Sequence, residues 1–566
     1  MIAKSPFIPT DLKLDSWQSI SPYFDQLMNL PVQTTHELEI LILNASEVYS
    51  VYSEGHARAY IAVSCHTDEA VANKRYELFT DQLDPEVEAV ANKLNKKILA
   101  SPAFTQLNPE RYAQYCRSLK REIDLFCEAN IPLNTQISNL STQYNQIIGG
   151  LSVTIDGIDL PLPQASTVLL SADRAKRKAA WEVIHAARMS VKTQIDEIFS
   201  KLVSLRDESA RHAGYTNFRD YKHDELERFD YSTTDVLKFH DAIEQYILPL
   251  AIDIQKAKRD RLGLTADYRP WDVNGTEPGL EPLKPFSTGE ELLKKTIEIF
   301  SSLRKDFGEN LQKMQAAGLF DLESRKGKAP GGYNYPLQVT GMPFIFMNAA
   351  GTHRDVTTLM HEGGHAMHTF LTAHEPLSDY RDTPSEMAET ASMGMELITS
   401  SLWDRFYNPE DHKRAKREHL EDIIEFFPWF AIVDAFQHWV YLNPSATPAE
   451  RDKYFDSLML RFGTGLVNWQ GLEHLRANTW QKQGHIVENP FYYIEYGIAQ
   501  LGSLQVYRNF KKNPQEGLEG YVRGLKLGSS RSLPEVWQAM NIKFDFSAKT
   551  VRDLMAFVQN ELATLE

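Results

Sequence analysis

Cysteine is scarce in this chain: only Cys65, Cys116 and Cys127 occur in 566 residues, with no CxxC spacing. Three scattered thiols cannot staple a chain of this length, so a disulfide framework is excluded and a reducing compartment is favoured. Basic residues are in the minority, 60 Lys and Arg against 76 Asp and Glu, for a formal net charge of -16. That balance argues against nucleic acid or an anionic membrane as the main partner. No apolar run approaches the length of a transmembrane helix. The opening MIAKSPFIPTDLKLDSWQSI has neither an apolar h-region nor a cleavage site. Fixed-period repeats and low-complexity tails are missing as well. These absences predict a cytoplasmic protein that spans no membrane.

What is present is ordinary globular material, 42% hydrophobic and 24% charged, long enough for a large core or several domains. Most of it reads as helix. Between residues 173 and 213, Trp181, Ile184, Val191, Ile195, Ile198, Leu202 and Leu205 recur near a 3.6 period, and Gly214 follows as a stop. Residues 86–127 look similar, broken at Pro102 and Pro109. Strand signals are few. LSVTIDGIDLPL (151–162) alternates about Asp156-Gly157 and predicts a hairpin. PLQVTGMPFIFMN (336–348) carries two apolar runs about Gly341, and SRKGKAPGGYNYP before it reads as a basic, glycine-rich loop. A boundary is placed near residue 171, between an N-terminal helical region (1–171) with the hairpin near its end and a catalytic region (172–566).

The chemistry gathers in LMHEGGHAMHTFL (359–371). On a helix, positions i and i+4 share a face, so His361 and His365 project side by side, as two imidazole ligands of one metal must. Glu362 follows the first histidine, where it can reach a water on that metal. This is HExxH, zinc on two histidines with the glutamate as general base. A chance HExxH arises in roughly one chain in thirty of this His and Glu content, so context has to support it. HELEI at His36 shows the risk, since Ile40 stands where the second histidine would be. Thr352 and Asp355 form a capping-box start for the helix, which accounts for Asp355. Gly363 and Gly364 each cost about 1 kcal/mol against alanine, acceptable if another backbone, such as a peptide substrate, passes close to the metal.

A catalytic zinc takes three protein ligands and keeps one position open. The third is sought in DTPSEMAETASMGMELITS (382–400), with Thr383 as N-cap, Pro384 in the first helical position and Glu386 completing a capping box. The later acids remain. Glu389 and Glu396, two turns apart, share a face with Ser392 and Met393; Glu389 is assigned as the ligand and Glu396 as the acid that orients a ligating histidine. The competing assignment makes both of them solvated surface acids. His368 is read as a neighbour of the site rather than a ligand.

HEGGHAMH followed by AETASMGME resembles the zinc oligopeptidase family that includes thimet oligopeptidase and oligoendopeptidase F. Members carry HExGHxxH and then E-x-x-S-x-x-x-E, whose first glutamate is the third ligand; here the pattern is Glu389, Ser392, Glu396. The likeness extends through AGYTNFRDY, GGYNYP, PFIFMN and PFYYIEYGIAQ, covers most of the chain after about residue 171, and leans to the oligoendopeptidase F side. It implies a mainly α, two-lobed helical body with a deep substrate channel, zinc at its floor and small β elements beside the zinc helix. It also implies that a histidine and tyrosines near the C-terminus hydrogen-bond the substrate carbonyl and the oxyanion. Here these are His485, Tyr492, Tyr493 and Tyr496, on a helix read as starting at Asn489-Pro490; an aromatic stripe at that spacing is otherwise core.

The activity expected is zinc-dependent endopeptidase cleavage of short unfolded oligopeptides, with one zinc per chain and PFIFMN as an edge strand pairing the substrate backbone. A dipeptidyl carboxypeptidase of the same fold would share every zinc residue and differ by a group capturing the substrate C-terminal carboxylate. A catalytically silent peptide-binding protein would have lost Glu362 or a ligand, and a peptide deformylase would be far shorter.

Overall fold

The computed structural model describes residues 6–565 except 265, 266, 326 and 330. It is mainly α-helical, with a two-stranded and a three-stranded sheet among the described residues. The chain folds into two compact units that interleave in sequence. The first comprises 1–126, 285–407 and 502–544, the second 127–284, 408–501 and 545–566.

The first unit begins with helices Trp17–Asn29, Thr35–Cys65, Asp84–Leu99 and Pro109–Leu125 around a core that includes Phe24, Leu27, Leu38, Leu41, Leu94 and Leu119. The HELEI segment lies at the start of the second helix, where a capping box closes it. Glu37 N–H donates to Thr34 Oγ1 at 3.3 Å and Thr34 N–H to Glu37 Oε2 at 3.0 Å. That near miss of the metal motif is a helix cap.

In the second unit, β1 (Ser152–Ile155) and β2 (Ile158–Pro161) form the hairpin, with Asp156 and Gly157 both at positive φ (51° and 79°), as a two-residue turn matched to strand twist demands. The periodic segment after Asp173 is two helices, Arg174–Ser190 and Lys192–His212, rather than one. Val191 leaves helical geometry (φ -107°, ψ 2°), a local bend that an unbroken 3.6 period does not reveal.

The three-stranded sheet belongs to the first unit: β3 (Phe320–Glu323), β4 (Tyr333–Leu337) and β5 (Met342–Ala349), in the order β3-β5-β4. β5 runs parallel to β3 and antiparallel to β4, and Gly341 at φ 68° makes the turn between β4 and β5. PFIFMN is therefore the central strand, not an edge. Its side chains are buried on both faces, which is what an uninterrupted apolar run signals. The edge beside it is β4, from GGYNYP. β5 leads through Gly351 (φ 88°) straight into the helix that carries HExxH.

Candidate metal centre

The HExxH helix runs His353–Thr372. At its start the Asp355 carboxylate accepts from Ala350 N–H, Thr352 N–H and Thr352 Oγ1 at 2.8–2.9 Å, which ties Asp355 to the cap. Packed against this helix is a second, Ser385–Thr399. It starts one residue later than the capping pattern suggests: Pro384 is the N-cap, no side chain caps it, and Glu386 is buried in the first turn. Proline has no side-chain oxygen with which to cap the helix, and Glu386 lies buried behind it.

The helices touch backbone to backbone. A Cβ on Gly364 would lie 2.7 Å from Ser392 Cα and 2.9 Å from Ala391 O, and one on Gly363 would lie 2.4 Å from the Phe300 ring. The glycine pair is thus required by the protein's own second helix and by Phe300, not by a passing substrate. This close approach carries Glu389 to the histidines. Glu389 Oε2 lies 3.2 Å from His361 Nε2 and 3.8 Å from His365 Nε2, and the three donor atoms fall within 4.8 Å of one another. Ser392 Oγ donates to Glu389 Oε2 at 3.1 Å, while Glu396 Oε1 takes His361 Nδ1 at 2.7 Å. Two imidazole nitrogens and one carboxylate suit zinc, so the donor set fits the ion that the motif implies.

Burial resists charge on His361, but hydrogen bonds to Glu389 and Glu396 outweigh it and raise that imidazole well above its ordinary value. His365, with less carboxylate contact, is pushed down to about 4 by burial. Burial likewise raises Glu362 to about 7, against the nearby His361. Glu362 is 6% exposed, and its Oε2 is buried with no hydrogen-bond partner. An orphaned carboxylate oxygen beside three converging donors marks a place for a polar group. His368 Nε2, also buried without a partner, lies on the same helix but outside the donor cluster.

Two contacts come from β4 and the residue before it, and neither was read from the sequence as a site residue. Asn334 Nδ2 donates to Glu362 O at 3.3 Å, and a Cβ on Gly332 would sit 3.8 Å from Glu362 Oε1. The glycine pair preceding the strand is the signal that a backbone must come close there.

The C-terminal candidates gather in the second unit. The ring of His485 lies 5.8 Å from Tyr492, 5.0 Å from Tyr493 and 5.8 Å from Tyr496, centroid to centroid, with Tyr492 5.1 Å from Tyr496. Their helix starts at Tyr493, beyond Asn489-Pro490, because Phe491 takes a positive φ of 68° that interrupts it. Buried Arg228 fixes the bend by donating to Phe491 O and Glu495 Oε1, and Arg206 holds Val487 O. Tyr493 is buried, and Tyr492 and Tyr496 are half-buried. The tautomer of His485 follows from its neighbours. Trp429 Nε1 can only donate, so it fixes Gln483 Oε1 on its side at 3.3 Å and turns Gln483 Nε2 to His485 Nδ1 at 3.0 Å. Nδ1 accepts, and in the neutral ring the proton sits on Nε2, a donor.

Two imidazoles and a carboxylate around a buried acid are the donor set of the HExxH metalloproteases. The chain belongs to peptidase family M3. It matches that family over residues 167–556 and the peptidase M3 N-terminal domain over residues 7–126. It is 22% identical over 568 residues to an oligoendopeptidase F homologue of Lactococcus lactis, covering 93% of this chain and 90% of that one. A match to the oligoendopeptidase F homologue of Borreliella burgdorferi, 23% identical, covers 43% of this chain and 41% of the relative. The fold superimposes on that of PZ peptidase A with an inhibitor at a TM-score of 0.93 and 26% identity, over 98% of each chain. These likenesses place the chain on the oligoendopeptidase F side of the family, and it is a peptidase. Among the described residues no helix is long and apolar enough to cross a membrane.

Proposed function

We propose that this protein is a zinc-dependent endopeptidase of short, unfolded oligopeptides, acting in the cytoplasm with one zinc per chain. The observation that carries the proposal is the convergence of His361, His365 and Glu389 beside the unpartnered carboxylate of Glu362. Zinc held by those three residues would supply a Lewis acid that polarises the scissile carbonyl and acidifies a water. Glu362 is the general base: it takes the water proton at its carboxylate and returns it to the leaving amine. Burial suits it to both steps, because a carboxyl raised to about 7 can hold and release a proton near neutrality. Glu396, on His361 Nδ1, fixes the ring so that Nε2 faces the donor cluster. His485 Nε2–H and Tyr496 are the donors assigned to the oxyanion, with Tyr492 and Tyr493 completing the cluster. The extended substrate adds to the sheet at β4, where Asn334 and the preceding Gly332 approach Glu362.

The experiment is Glu362→Gln, with metal content and turnover measured together. About one zinc per chain should remain while turnover of a test peptide falls by orders of magnitude. A variant that turns over normally with zinc bound removes Glu362 from the chemistry, and active, dialysed wild type without transition metal overturns the zinc assignment. Mass spectrometry of products from a mixed peptide library separates internal cleavage from the carboxydipeptidase alternative, which releases only C-terminal dipeptides.

Tyr496→Phe tests the oxyanion donor. Loss of the hydroxyl should lower kcat and kcat/KM together, by about a hundred-fold, with KM little changed. Unchanged turnover with a modest fall in thermal stability would mark the ring as packing and move the role to Tyr492, Tyr493 or His485.

A further inference from the structure

The second unit contains a cavity lined by three basic side chains, His185, Arg188 and Lys482, against apolar walls that include Ile148, Met189 and Ile195. No carboxylate of the described residues lies within ion-pair distance of Arg188 or Lys482, although many basic side chains in this acidic protein have one. The adjacent Lys192 is satisfied by both Asp196 and Asp452. The chain therefore had acids close by and spent them elsewhere. His185 stacks on Trp181 at 3.8 Å and gives Nδ1–H to Trp181 O at 2.9 Å, which holds the ring rigidly in the wall. Burial and the two flanking cations push His185 down to about 4, so the positive charge resides on Arg188 and Lys482. Desolvation and then the nearby Arg188 lower Lys482 to about 8, and desolvation lowers Arg188. Arg188 is half-buried and Lys482 exposed, so both cations are open to an anion arriving from solvent.

The cavity is joined to residues already assigned to the substrate. Lys482 Nζ stands 5.1 Å over the Trp429 ring, Trp429 donates to Gln483, and Gln483 donates to His485. Lys482 and His485 are three residues apart on one short stretch of chain, with Gln483 between them bonded to His485.

We propose that Arg188 and Lys482 form a subsite for a carboxylate of the bound peptide. Guanidinium and ammonium on apolar walls suit a carboxylate attached to a hydrocarbon chain, with the Arg188 fork taking both oxygens and Lys482 acting as a point charge. A peptide offers that group in two places, its C-terminus and an Asp or Glu side chain. The identity of the ligand rests on the peptidase reading; the presence of an anion subsite does not.

The test measures binding and cleavage separately. In the Glu362→Gln background, where the peptide should stay intact, fluorescence anisotropy compares one labelled hexapeptide as free acid and as C-terminal amide. It then compares amidated peptides differing by Glu against Gln at each position. Each pair is repeated with Arg188→Gln and with Lys482→Gln. The free acid, or a Glu peptide at one position, should bind about tenfold more tightly than its neutral partner, and each substitution should reduce that ratio toward one while leaving the neutral peptide's affinity unchanged. A ratio that collapses for the acid–amide pair assigns the terminal carboxylate, and one that collapses for a Glu–Gln pair assigns the side chain. Ratios unaffected by both substitutions, or near one from the outset, overturn the subsite. Far-UV circular dichroism and the unchanged neutral affinity exclude misfolding as the cause. Wild type that binds the peptides with this ratio but cleaves none refutes the peptidase mechanism and leaves the subsite standing.

Discussion

Glu386 and Glu389 lie three residues apart on one helix, and both are almost fully buried, at 3% and 4% exposure. Burial therefore does not distinguish them, and the cap that would have given Glu386 its own role does not form. What distinguishes them is direction: Glu389 Oε2 meets both histidine nitrogens and Ser392 Oγ, whereas Glu386 sits at the helix start, outside the donor cluster. Removing a ligand from a three-ligand site weakens metal binding itself. Glu389→Ala should lose zinc on dialysis and activity with it, while Glu386→Ala should keep zinc and show its effect in stability. Metal analysis by mass spectrometry after matched dialysis checks this. Zinc retained by the first variant and lost by the second would transfer the ligand role to Glu386.

At the scale of elements the site depends on two helices packed so closely that only glycine fits between them. Alanine at 364 would gain about 1 kcal/mol of helix propensity. Its Cβ would also meet Ser392 Cα and Ala391 O under 3 Å, and backbone atoms cannot rotate aside. Overpacking of that kind costs typically 1–3 kcal/mol, so the clash outweighs the propensity. Gly364→Ala should lower the melting temperature and loosen zinc together, since the same displacement moves Glu389 from the histidines; a variant of wild-type stability and zinc content would refute the packing argument. The metal helix, its Asp355 cap and the hairpin at Asp156-Gly157 were legible in the sequence because each is written in local spacing or turn chemistry. The reason for the glycines was not, because it lies on other helices, at Ser392 for Gly364 and at Phe300 for Gly363. PFIFMN misled in a specific way. It reads as a strand but not as an edge or a centre, and only the pairing of β3 on its far side decides that. The start of the Tyr493–Lys512 helix was displaced by Phe491, whose positive φ is held by Arg228, a contact from residues far away in sequence.

At the scale of the whole molecule, the three interleaved segments of each unit have no linker composition to announce them. Long-range packing draws that division, although the N-terminal domain match ends at residue 126, where the first segment of the first unit also ends. All three proposed ligands fall within the first unit, on helices His353–Thr372 and Ser385–Thr399. Zinc bound to the native site and not to the unfolded chain stabilises by RT ln(1 + [L]/Kd), about 4 kcal/mol at a thousand times Kd. For a unit of this size, 1 kcal/mol moves the midpoint by roughly 2–4 °C at most. Stripping the metal should therefore lower the melting of the first unit by several degrees, and added zinc should restore it. The second unit holds none of the three ligands, so any separate transition belonging to it should stay in place. Calorimetry of zinc-loaded and chelator-treated protein, with metal content measured on both, reads this directly. Metal removed with no shift in any transition would mean that the ion had not been held by His361, His365 and Glu389, because two helices cross-linked by three ligands cannot lose that link without cost.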